Sequence, residues 1–233
     1  MPPTEHTFKQ FDSDLENVRS KVLQMGGLVE SQIRNAVRGL SSGDLDALDT
    51  AIEVDRQVNE FEIDIDEACA QIIARRQPTA GDLRTVLSIA KTVTDLERMG
   101  DEAKKIARTA RQLLDRGPLQ VPRLADVTHA AEVALAQLRK ALDAYARLDA
   151  RAAQELIRED VLLDNEFRAI MRQLVTYMME DPRTISTAID IVWIAKAIER
   201  IGDHAKNIAE HVVYIVDGTD IRHSSAKSRP DLA

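Results

Sequence analysis

The sequence predicts an all-α protein built as two tandem antiparallel three-helix bundles. Three observations carry this. An eleven-residue stretch occurs twice, as Glu97-Arg98-Met99-Gly100-Asp101-Glu102-Ala103-Lys104-Lys105-Ile106-Ala107 and as Glu199-Arg200-Ile201-Gly202-Asp203-His204-Ala205-Lys206-Asn207-Ile208-Ala209, with eight positions identical. Such self-similarity at long range marks an internal repeat. Aromatic residues make up only 3% of the 233 residues, against 44% apolar and 30% charged, a balance in which Ala, Leu, Arg and Glu favour helix over strand. Nowhere does an apolar/polar alternation of period two run for a useful length.

The helices follow in order. The first spans about residues 8–40, with Phe11, Leu15, Val18, Val22, Met25, Val29 and Ala36 forming a packed seam at a spacing near 3.5. Gly26-Gly27 interrupts that seam, and each helical glycine costs about 1 kcal/mol. Ser41-Ser42-Gly43 stops it. The second helix runs from Asp44 to about Arg76, burying Leu45, Leu48, Ile52, Phe61, Ile65, Ala68 and Ile72. Gln77-Pro78-Thr79-Ala80-Gly81 turns the chain, and Thr79 with Asp82 resembles a capping box with a shorter acid. The third helix, about 81–115, carries the first motif copy and ends at Gly117-Pro118. After a linker at 119–122 the plan repeats: a helix at about 123–147, another at about 149–179, and a last one carrying the second copy to about Val216. Asp181 and Pro182 serve as its N-cap and first residue, and Asp217-Gly218 closes it. The expected units are residues 8–117 and 118–217, with tails at 1–7 and 218–233. Short turns within each unit make neighbouring helices antiparallel.

Charge and composition exclude several functions. A net charge of −8 argues against binding nucleic acid through phosphate neutralisation. The single Cys69 forms no intrachain disulfide, which fits a reducing compartment. The N-terminus lacks a signal-peptide pattern, and no apolar run is long enough to span a bilayer. The expectation is a cytoplasmic protein that reaches a membrane only through partners. Phosphate-binding loops and dinucleotide fingerprints are missing. The third residue after Glu97 and after Glu199 is glycine, not the histidine of a ferritin-like di-iron site. Cys69, Met99 and Trp193 read as core residues.

The motif itself is rich in carboxylates. Glu97 and Asp101 share a helix face, as do Glu199 and Asp203. Val86, Ala90 and Val93 lead into Glu97 at the same spacing as Ala188, Val192 and Ala195 lead into Glu199, so the acids continue an apolar row. Gly100 and Gly202 sit mid-helix, where a costly residue implies close approach of another backbone or a bound group. Residues facing each other across an antiparallel hairpin share a constant sum of residue numbers. Asp55 with Asp101 and Asn59 with Glu97 satisfy one sum, and Asp160 with Asp203 and Asp164 with Glu199 satisfy another. Each hairpin therefore sets D-x-x-x-[DN] across from E-x-x-x-D. Converging carboxylates repel unless they are protonated or bound to cations, and oxygen-only clusters suit Mg²⁺, Mn²⁺, Ca²⁺ or iron. Ion-paired helix glue involving Arg98 and Arg200 is the competing reading. His204, beside Asp203, is a candidate additional ligand, although the first copy has Glu102 there.

At these residues the sequence resembles the PhoU family of phosphate-signalling regulators. The doubled E-R-x-G-D-x-A-x-x-I-A motif carries the resemblance, together with Arg76-Gln77-Pro78 and Asp82-Leu83-Arg84 at the first hairpin. Asp181-Pro182-Arg183-Thr184-Ile185 at the second hairpin and the ending Val216-Asp217-Gly218-Thr219-Asp220-Ile221-Arg222-His223 complete it, over about residues 8–223. The resemblance implies metal clusters at the E-x-x-x-D motifs, with Glu199, Asp203, Asp160 and Asp164 as ligands in one half and Glu97, Asp101 and Asp55 in the other. The metals it allows are Fe, Mn, Mg, Zn or Ca. It implies no enzymatic turnover, a homodimer, and a negative regulator that links the ATPase of a phosphate ABC transporter to a sensor histidine kinase. A metal-dependent phosphohydrolase or oxidase and a purely structural scaffold are the alternatives. Asn59 departs from the pattern set by Asp164, which predicts the weaker cation site in the first half unless Glu60 or Glu62 compensates.

Overall fold

The computed structural model describes residues 9–117, 124–159 and 161–221. Helices α1 (Lys9–Ser42), α2 (Leu45–Arg76) and α3 (Ala80–Asp115) form the first bundle. Helices α4 (Leu124–Arg147), α5 (Ala150–Glu159), α6 (Val161–Glu180) and α7 (Ile185–Asp217) form the second, with a 3₁₀ turn at Pro182–Thr184 before α7. No strand occurs among the described residues. Helices α5 and α6 occupy the single helix expected at 149–179; residue 160, the linker at 119–122 and most of the two tails lie outside the described residues.

Capping residues set the boundaries. Asp44 accepts the Ala47 N–H at 3.0 Å and starts α2. Asp149 accepts from the Arg151 and Ala152 N–H groups at 3.0 Å and starts α5. Asp181 accepts from the Arg183 N–H at 3.1 Å, so it caps the 3₁₀ turn that leads into α7 and not α7 itself. Gly218, at φ 72°, closes α7 by donating to the Tyr214 carbonyl. The capping box expected at Thr79 does not form. Its hydroxyl lies 3.4 Å from the Asp82 carboxylate and caps no backbone N–H, because the acid one methylene short of Glu draws the hydroxyl to itself.

The seam of α1 is core as expected: Val22, Met25, Val29, Ile33 and Ala36 are wholly buried. The Gly26-Gly27 pair does not break the helix. A Cβ on Gly26 would come within 2.6 Å of Leu142 of α4, so this glycine lets α1 and α4 pack closely across the two halves. Gly27 faces open space, and Gly27→Ala is expected to stabilise the protein by about 0.5–1 kcal/mol. Gly39 is the opposite case. A Cβ there would overlap Leu48 of α2 and approach the Asp44 carbonyl at 2.9 Å, so Gly39→Ala is expected to cost about 2 kcal/mol despite the better helix propensity. Thermal melts of the two variants beside the parent check both signs.

Trp193 corrects the expectation of a core residue, because it is 65% exposed. With the half-exposed Ile185 and Ile189 it lies on an exposed i, i+4 row, whereas Ala188, Ile191 and Ile194 fill the inward face. Met99 and Cys69 are buried as expected, and burial followed by the Asp66 charge pushes the Cys69 thiol up to about 11, which leaves it unreactive.

The two bundles meet through α1 against α4 and α3 against α7. Helices α3 and α7 run antiparallel: Asp95 contacts His204 and His211, while Glu102, two turns further along α3, contacts Arg200, earlier on α7. The two motif-bearing helices thus cross at the centre of the molecule, each backed by its own hairpin partner.

Candidate metal centre and the adjoining cleft

In the second half the hairpin register brings three acids together. Asp164 of α6 and Glu199 and Asp203 of α7 each offer a carboxylate oxygen, all within 4.8 Å of one another. Glu199 and Asp164 are half-buried and Asp203 is exposed. Two oxygens bound to one cation are separated by at most twice the metal–oxygen distance, about 4.2 Å for Mg²⁺ and about 4.8 Å for Ca²⁺. The donor set therefore fits a hard cation, with coordination completed by water or a further ligand. Lys196 holds Glu199 from one side, and Arg168 lies 3.8 Å from Asp164. Asp160, the fourth acid expected here, falls outside the described residues.

The first half differs. Asp55 is buried, but Lys104 reaches it at 2.5 Å and also lies 4.0 Å from Asp101. The ammonium sits where the register predicts a cation. Glu97 is half-buried, and burial, then the charges of Asp101, Glu62 and Asp55, push its carboxyl above the usual range against a smaller opposing effect of Arg98. Burial and the Asp66 and Asp101 charges push Glu62 up likewise. Of the two candidates to compensate for Asn59, Glu62 belongs to this group, whereas Glu60 turns outward to Arg56 at 3.2 Å. Among the described residues, Asp55, Glu97 and Asp101 do not bring three ligand atoms together as the second half does, and Asn59 is half-buried on α2.

The glycines explain why the acid rows meet. A Cβ on Gly202 would overlap Leu163 and come within 2.8 Å of Gln137 Oε1; one on Gly100 would come within 3.0 Å of Gln32 Oε1 and 3.3 Å of Val58. The nearest approach at each glycine is made by side chains of the same bundle and not by another backbone. Leu163 precedes Asp164 and Val58 precedes Asn59, so each glycine draws in the hairpin partner at the level of the acids. Gln32 locks the first crossing, donating to the Ala51 carbonyl at 3.0 Å and the Gly100 carbonyl at 3.1 Å.

A second polar group lies between the halves, and the hairpin register does not foresee it. Asp95 of α3 is 8% exposed. One of its oxygens accepts from His204 Nδ1 at 2.8 Å and Asn207 Nδ2 at 3.0 Å, and the other from His211 Nε2 at 2.9 Å. Burial pushes this carboxyl up, but the three donors outweigh it and hold it down at about 2. An ionised Asp95 accepts only, which fixes the proton of each imidazole on the nitrogen facing it. His204 is therefore tied to Asp95 through Nδ1, not offered through that nitrogen to the Asp203 group. The signal in the sequence is the polar series His204, Asn207, His211 along an otherwise apolar stripe of α7.

Asp95, His204 and His211 line a cleft of about 750 Å³ between α3 and α7, with Lys91, Arg98, Arg200 and Lys206 around them. A smaller cleft of about 310 Å³ lies at the other end of the crossing, lined by Glu102, Lys105, Thr109, Trp193, Ala197 and Arg200 among others. The motif offset relates the two: Asp95 corresponds to Ala197, Lys91 to Trp193, His204 to Glu102, Asn207 to Lys105 and His211 to Thr109. In the smaller cleft the buried Glu102 pairs with Arg200 at 2.7 Å and Lys105 at 2.9 Å.

The sequence matches the PhoU domain twice, over residues 22–110 and 127–212. It is 49% identical to a phosphate-specific transport system accessory protein PhoU homolog of Pseudomonas putida, over 96% of this chain and 87% of that protein. It is 44% identical to the phosphate-specific transport system accessory protein PhoU of Escherichia coli K12, over 94% of this chain and 90% of that one. The structure superposes on the crystal structure of PhoU from Pseudomonas aeruginosa with a TM-score of 0.87 at 48% identity, covering 90% of this chain and all of that one. On the phosphate transport system regulatory protein PhoU from Streptococcus pneumoniae the TM-score is 0.83 at 28% identity, covering 91% and 99%.

Proposed function

Because the chain belongs to the PhoU family, we propose that it is a regulatory accessory protein of a phosphate-specific transport system. The family's members are regulatory accessory proteins and not enzymes. The observation that carries the reading is the match of both repeats to proteins of that name over nearly their whole length. In this role the protein represses the phosphate regulon when phosphate is plentiful, bridging the transporter's ATPase to a sensor histidine kinase from the cytoplasmic side. No described helix is long and apolar enough to cross a membrane. The exposed Trp193 row, with Ile185 and Ile189, offers an apolar anchor for such contacts or for a homodimer.

The metal reading is part of the proposal. Asp164, Glu199 and Asp203 would hold a hard divalent cation or iron; when bound, it would neutralise like charges and clamp α6 to α7. In the first half Asp55, Asn59, Glu97 and Asp101 form the corresponding, weaker set, where Lys104 already supplies a positive charge. Deleting the gene is expected to leave phosphate-responsive transcription switched on in phosphate-rich medium, as measured with a reporter of a phosphate-regulated promoter. Unchanged repression would sink the regulatory reading.

A further inference from the structure

We propose that the larger α3–α7 cleft binds a phosphate-class oxyanion, either inorganic phosphate or the phosphoryl group of a small ester. This goes beyond the regulatory role and does not depend on the metal centre.

Both repeats supply cations to the cleft: Lys91 and Arg98 from α3, Arg200 and Lys206 from α7. Three carboxylates, Asp95, Asp203 and Glu210, line it too. Both oxygens of Asp95 are taken up by three N–H donors, so its charge is satisfied within the wall. Asp203 also belongs to the group with Asp164 and Glu199. Arg200 spends part of its five-donor fork on Glu102 and keeps others. Arginine and lysine side chains converging in a concave, partly desolvated site are the usual means of holding phosphate.

The two histidines add selectivity. Asp95 fixes the proton of each ring on the nitrogen it contacts, which leaves the other nitrogen of the neutral imidazole as a hydrogen-bond acceptor. A phosphate P–OH group can donate to such a nitrogen. Sulfate carries no proton to offer.

The smaller cleft serves as an internal control. It keeps the repeat-related arginine and the same helix crossing, yet has Ala197 for Asp95, Thr109 for His211 and Trp193 for Lys91. The crossing therefore folds without a buried Asp–His–His set. The larger cleft alone sets two histidines, each with one ring nitrogen taken up by Asp95, beside its lysine and arginine side chains.

The test is a calorimetric titration of the chelator-treated full chain with inorganic phosphate, with sulfate and with glycerol 3-phosphate. Saturable one-site binding below about 10 mM is expected for phosphate, the ester or both, and weaker binding for sulfate. Which phosphate compound binds identifies the source. Lys91→Gln combined with Arg98→Gln should weaken that binding by about tenfold or more, and Arg151→Gln, an exposed position of α5 that does not line the cleft, should leave it unchanged. Lys91 and Arg98 are exposed, so the double variant folds, as circular dichroism would verify. No saturable binding by either phosphate compound overturns the proposal, and so does binding kept unweakened in the double variant. Manganese binding by the double variant, measured separately, reports on the metal reading alone.

Discussion

Asp95→Ala is expected to destabilise the protein by about 3 kcal/mol at neutral pH. His204, Asn207 and His211 would lose the one carboxylate they share, and each buried donor left without an acceptor costs about 1–3 kcal/mol. Water entering through the neighbouring cleft recovers part of that sum. The pH dependence has a definite sign. The folded carboxyl titrates at about 2, below the unfolded value near 3.8. Its contribution is therefore fully present above about pH 4 and is lost as pH falls from 4 through 2, worth about 2 kcal/mol by linkage. Urea titrations between pH 2 and pH 7 measure both effects. The parent should lose stability more steeply than Asp95→Ala below pH 4. Parallel profiles, or a loss under about 1 kcal/mol at pH 7, would mean that the network adds little to the joining of the two bundles.

The contrast between the acid group and the Asp95 network shows what the sequence makes legible. The second-half group follows from residue numbers because α6 and α7 are joined by a tight turn, which fixes the register of everything along the hairpin. Asp164, Glu199 and Asp203 meet as that register requires. Helices α3 and α7 share no turn; three helical segments and the linker separate them along the chain, and no local rule sets their register. Once Glu102–Arg200 is known, the constant-sum rule places Asp95 opposite Asn207, so the information is present but needs one long-range contact to unlock it. The first half is instructive in another way. The register there is right, as the mutual effects of Glu97, Asp101 and Asp55 show, but a flexible lysine occupies the site. Lys104 of the first motif copy pairs with Asp55 of its own hairpin partner. Spacing gives the position of a Cα, not the rotamer of a four-carbon chain. Trp193 departs from expectation for a related reason: its hydrophobicity suggests burial, but its angular position on α7 is set by Ile191 and Ile194, which fill the inward face.

Asp203→Asn is expected to act in opposite directions with and without a divalent cation, and this reversal tests the metal reading most directly. In chelator the three acid oxygens within 4.8 Å repel one another. Asp203 is exposed, so solvent and salt screen the repulsion, and removing its charge should stabilise the apo protein by about 1 kcal/mol or less. With cation at about 100 times its dissociation constant, the parent gains about 2.7 kcal/mol from binding to the folded state alone. Asp203→Asn loses a charged ligand and most of that gain. Thermal melts of both proteins in chelator and in Mn²⁺, with elemental analysis of anaerobically purified material, should show curves that cross. In the first half Asp101→Asn should shift little between the two conditions, because the Lys104 ammonium lies 2.5 Å from Asp55 and 4.0 Å from Asp101, where a cation would otherwise bind. If Asp203→Asn destabilises equally in chelator and in Mn²⁺, the acids and their lysine and arginine neighbours act as ion-paired helix glue, and the metal reading fails.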